Sequence, residues 1–114
     1  MTSLQLANEI AKALDDKLGV DIKILKVENL TILSDYFVIV SGESSTQVRA
    51  LADEVDRRLS AKGIEPKRIE GEPAGGWVLL DYSAVIVHVF YKDAREFYSL
   101  ERLWADATEI EIDN

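Results

Sequence analysis

Gly76–Phe90 reads G-W-V-L-L-D-Y-S-A-V-I-V-H-V-F, two apolar runs joined through Ser83-Ala84. The pattern predicts a β-hairpin with strands Trp77–Tyr82 and Val85–Tyr91. Side chains alternate along a strand, so Val78, Leu80, Val85, Val87 and Val89 share one face. With a two-residue loop, Trp77, Leu79 and Asp81 fall opposite Phe90, His88 and Ile86 on the other. A hairpin in a small domain usually buries one face and wets the other. Here both faces are apolar, so the second is either covered within the chain or left open for a partner.

Around this hairpin the rest of the fold falls into place. Leu4, Ala7, Ile10, Ala11, Leu14 and Leu18 recur at helical spacing, which predicts a helix over 3–18 ended by Gly19. Asp21–Val27 alternates as a strand. Asp35–Ser41 is apolar on both parities, as in a central strand. Ser44 is placed to cap a long helix over 45–62, with Gln47 completing a capping box. Val48, Leu51, Ala52, Val55 and Leu59 form its buried stripe, and Gly63 and Pro66 stop it. Lys67–Glu70 reads as a short strand, Gly71–Gly76 as a loop and Asp93–Leu103 as a helix. The fold class is α+β: a mixed sheet of about five strands with the helices mainly on one face. Residues 1–107 form a single domain. The acidic tail, residues 108–114, alternates Ile110 and Ile112 with acids, a pattern open between a weak strand and disorder.

Composition narrows the chemistry. The 114 residues suffice for one core, burying roughly 65% of the unfolded surface. There is no cysteine and one histidine, which excludes disulfides, thiolate metal sites, thiol nucleophiles and a multi-histidine metal site within one chain. The N-terminus has no signal-peptide pattern and no apolar run could span a bilayer, so a cytoplasmic location is the expectation. Thirteen basic against 21 acidic residues give a net charge of −8, which disfavours binding a nucleic-acid backbone and permits a basic protein partner.

Asp35, Asp81 and His88 are the one set resembling an acid/base or metal constellation. A lone histidine in an apolar strand is more often packed than catalytic, and Asp35 is equally suited to capping a turn. Ser41-Gly42-Glu43-Ser44-Ser45 sits where phosphate loops sit, yet lacks lysine and further glycines. No cofactor or metal site is expected. The remaining candidates are Trp77, Phe90, Tyr98 and Trp104, individually core aromatics but, together with Arg95 and Arg102, the residue types of protein–protein hot spots.

S-D-Y-F-V-I-V-S-G (Ser34–Gly42), Q-V-R-A-L-A-D-E-V (Gln47–Val55), E-G (Glu70-Gly71), W-V-L-L-D-Y (Trp77–Tyr82), V-I-V-H-V-F (Val85–Phe90) and F-Y-S-L-E-R-L-W (Phe97–Trp104) occur in that order. Together they resemble the Iojap-type ribosomal silencing factors over nearly the whole chain. One departure is Ser83-Ala84, where the family commonly has Gly-Asp. The resemblance implies a nucleotidyltransferase-like fold without that superfamily's catalytic set, hence no enzymatic activity. It implies binding to the large (50S) ribosomal subunit through ribosomal protein uL14, a block on subunit association, repression of translation when nutrients are scarce, and homodimers when free. It places the docking surface on Trp77, Leu79, Tyr98 and Arg102, with His88, Phe90, Arg95 and Trp104 beside them. The alternative is a nucleotidyltransferase-like, metal-dependent enzyme using Asp35, Asp81 and His88.

Overall fold

A computed structural model describes residues 1–112. In chain order the elements are α1 (Ser3–Asp16), β1 (Val20–Lys26), β2 (Tyr36–Gly42), α2 (Ser45–Ser60), β3 (Arg68–Glu72), a 3-10 turn at Pro73–Gly75, β4 (Trp77–Asp81), β5 (Val85–Tyr91), α3 (Lys92–Tyr98), α4 (Leu100–Leu103) and β6 (Thr108–Ile110). They build one six-stranded sheet in the order β3-β4-β5-β2-β1-β6. β2 and β5 run parallel at its centre, and the other neighbours are antiparallel.

The hairpin has the register that its alternation predicts, with Trp77 opposite Phe90, Leu79 opposite His88 and Asp81 opposite Ile86. Ser83-Ala84 does close a two-residue loop: the Tyr82 amide donates to the Val85 carbonyl at 2.9 Å. Ser83 adopts φ 67°, the left-handed conformation that glycine takes more easily. The Asp81 carboxylate offsets part of that cost by accepting from the Ser83 amide at 2.8 Å.

Both helices before the hairpin pack on one sheet face. Ile10 and Leu14 of α1 and Val48, Leu51, Val55 and Leu59 of α2 join Ile24, Val38, Val40, Val78, Leu80, Val87 and Val89 in the main core. Every residue of β2 is buried, as its double apolarity requires. The Ser44 hydroxyl caps α2 by accepting from the Gln47 amide, but the Gln47 side chain accepts from Glu43 rather than from Ser44. At the end of α1 the left-handed residue is Leu18 (φ 62°), not Gly19. Gly19 is needed for space instead: a Cβ there would lie 2.6 Å from Val40 Cγ2.

Three details differ from the expectations. The sheet has six strands, because Thr108–Ile110 pairs with β1 and Ile110 and Ile112 pack against the main core. The remainder of the expected tail, Asp113 and Asn114, lies outside the described residues. The segment read as a loop from Gly71 begins as strand, β3 continuing to Glu72 before the 3-10 turn. The C-terminal helix is two helices, broken where Ser99 takes φ 49°.

Candidate functional site

The second sheet face is half covered. Leu25, Val27, Phe37, Ile39 and Phe90 are roofed by Leu100, with Trp104 and Ala107 alongside. The roof reaches the β1, β2 and β5 strips. Towards the β3 edge, Trp77, Leu79 and Ile86 are only half-buried. The break at Ser99 turns α4 back over β2, so that Trp104 meets Phe37 edge-on with ring centroids 5.0 Å apart.

Arg95 fixes that roof. Its guanidinium donates to the Asp21 carbonyl at 2.7 Å, to Ser41 Oγ at 2.9 Å and to Glu101 Oε1 at 3.0 Å. One buried side chain thus ties α3 to the start of β1, the end of β2 and α4. Lys23 pairs with the same Glu101 at 3.1 Å. Burial opposes ionisation of Glu101, but the hydrogen bonds from Arg95 and Lys23 outweigh it and hold its pKa below 4.5.

An aromatic chain crosses the boundary between the covered and open halves. Trp77 lies 4.9 Å from Phe90 and 4.9 Å from Tyr98, ring centroid to centroid. Its indole N–H donates to His88 Nδ1 at 3.3 Å. His88 is 4% exposed, and desolvation lowers its pKa from 6.5 to about 4. The ring is therefore neutral at physiological pH, with its proton on Nε2, which has no hydrogen-bond partner among the described residues.

The eight residues singled out for partner binding separate accordingly. Trp77, Leu79 and Tyr98 reach the surface on the open half, Tyr98 with 46% of its area exposed. Phe90 and His88 are buried against Trp77, and Arg95 is buried in the clasp that holds the roof, so none of the three forms the open strip. Trp104 belongs to the roof, and Arg102 is exposed beside the Arg95 clasp. Phe97, 81% exposed and edge-on to Tyr98 at 5.2 Å, extends the aromatic surface. Its bulk in F-Y-S-L-E-R-L-W was a signal for it.

Asp35, Asp81 and His88 have separate engagements. Asp35 accepts from Ser3 Oγ at 2.6 Å, and Asp81 accepts from the Ser83 amide and faces Arg68 at 3.4 Å. Among the described residues no three His, Cys, Asp or Glu side chains are grouped to hold a metal ion.

A family model described as "Ribosomal silencing factor during starvation" matches residues 1–114. The chain belongs to the RsfS family. Ribosomal silencing factor RsfS of Bacillus subtilis is 44% identical over 103 residues, covering 90% of this chain and 87% of that protein. Its counterpart in Halalkalibacterium halodurans is 39% identical over 113 residues, 99% and 97% of the two chains. A crystal structure of a Chromobacterium violaceum protein superposes with a TM-score of 0.89 at 32% identity, covering 100% of this chain and 94% of the other. This RsfS-family chain thus carries its aromatic surface on the half of the second face that α3 and α4 leave open. Glu70 and Glu72 were missed as members of this surface. Glu70 falls in the expected strand but stands opposite Leu79 only through the β3–β4 pairing, and Glu72 stands opposite Trp77 only because β3 runs past Gly71, where the sequence reads as a loop.

Proposed function

We propose that this RsfS-family chain silences translation by docking on the large ribosomal subunit through uL14, where it prevents the small subunit from joining. The observation that carries the reading is the open strip of Trp77, Leu79 and Tyr98 on a domain of net charge −8. Half-buried aromatics on a rigid sheet supply contact area at little entropic cost. Net acidity favours a basic ribosomal protein and disfavours exposed RNA, which orients docking. No bond is made or broken: a domain seated on one subunit occupies space that the other needs. The same apolar strip accounts for a homodimer when no ribosome is present, two copies covering each other's exposed area. The setting is cytoplasmic, where subunits meet, and no described helix is long and apolar enough to cross a membrane.

Subunit joining followed by light scattering tests the reading. Protein bound first to large subunits should suppress the rise on adding small subunits, whereas protein added to preformed ribosomes should act only as fast as they dissociate. Undiminished joining at saturating protein contradicts the proposal.

A further inference from the structure

Beside Trp77 on the open half of the sheet lies a shallow slot of about 250 Å³, lined by Trp77, Leu79, Gly71 and Glu70. The strand register explains its chemistry. Glu70 stands opposite Leu79 and Glu72 opposite Trp77, so the apolar row of β4 is flanked on the same face by the carboxylates of β3. Asp81 continues that row opposite Arg68. Arg68 Nε is 3.4 Å from both Glu70 and Asp81, and at 60% exposure one guanidinium shared between two carboxylates neutralises neither fully. The strip therefore keeps an excess of negative charge beside an apolar floor.

The indole N–H is already donated to His88, so an occupant need supply no acceptor to Trp77. What the slot offers is aromatic and aliphatic surface next to a carboxylate. An anion would be repelled by Glu70, and a wholly apolar plug would strip water from that carboxylate without replacing it. A long cationic side chain satisfies both parts, its methylene stem on the apolar floor and its charged head at the rim.

Resting on the docking reading above, we propose that this slot receives a lysine or arginine side chain of the partner protein. The stem lies against Trp77 and Leu79, and the charge meets Glu70. The contact gives the docking surface a register along β4 as well as area.

Binding to isolated bacterial large subunits across a salt series, read by sedimentation, tests this directly. Glu70 is exposed on an edge strand, so its variants keep the fold, which circular dichroism verifies. Glu70→Gln should weaken low-salt binding about twofold to fivefold and flatten its salt dependence. Glu70→Lys should weaken it further. Glu65→Gln, an exposed acid before β3 and outside the slot, should bind like the unmodified protein. Unchanged affinity and salt slope in Glu70→Gln, or tighter binding in Glu70→Lys, overturns the slot assignment. If Trp77→Ala still abolishes binding in that case, the docking reading survives the loss of the slot. If Trp77→Ala also binds normally, both fall.

Discussion

His88 is the only histidine of the chain, so the acid limb of its stability curve between pH 5 and 6.5 isolates one group. Burial holds the folded-state pKa near 4, against 6.5 for a free imidazole. Between those values the unfolded chain binds a proton that the fold refuses. Stability is therefore complete above pH 6.5, declines as pH falls, and has lost about 3 kcal/mol once pH is below both values, at about 1.4 kcal/mol per tenfold difference in proton affinity. Glu54, whose carboxylate is held below 4.5 chiefly by its hydrogen bond from Arg57, and Glu101, where burial is outweighed by Arg95 and Lys23 so that it too is held below 4.5, add their own losses only at the acid end. Urea unfolding at closely spaced pH values should show the decline. His88→Gln, which leaves an acceptor near the Trp77 N–H, should remove it between pH 5 and 6.5 even if overall stability drops. The single imidazole NMR signal should stay in its neutral position down to about pH 5. A folded-state titration near 6.5, or identical pH profiles for the two proteins, refutes the buried neutral imidazole.

Two further predictions concern the supports of the surface. Arg95→Met should destabilise by about 2–3 kcal/mol in thermal or urea unfolding: it removes the donors to Asp21 and Ser41, while Glu101 keeps Lys23 and some water. It should also raise hydrogen exchange over α3 and α4 more than over α1, and uniform exchange changes would contradict the clasp. Ser83→Gly should stabilise by about 0.5–1 kcal/mol, since Ser83 is exposed at φ 67° and glycine relieves the left-handed strain without disturbing the loop amide bonds.

Much of the architecture was legible because its signals are local. The hairpin register follows from period-two alternation across a two-residue loop, and β2 announced its central place by being apolar on both parities. What escaped depended on contacts distant in sequence. Gly71 read as a loop residue, yet it sits within β3 at φ 86°, where a side chain would run into the Trp77 carbonyl. Ser99 breaks the terminal helix with a backbone conformation that serine does not advertise. That bend decides which half of the second face is roofed. Phe90, His88 and Arg95 have the aromatic and basic character expected of docking residues, yet all three are buried. The three-residue β6 was too short to distinguish from an acidic tail by alternation alone.

Co-sedimentation with separated ribosomal subunits, comparing the unmodified chain with Trp77→Ala, bears most directly on the whole account. The unmodified protein should pellet with large subunits and stay in the supernatant with small ones. The variant, folded by circular dichroism, should lose at least tenfold in affinity for large subunits, as expected for a central aromatic anchor. Equal binding by the two proteins, or equal pelleting with both subunits, would contradict a docking surface built on the open half of the sheet.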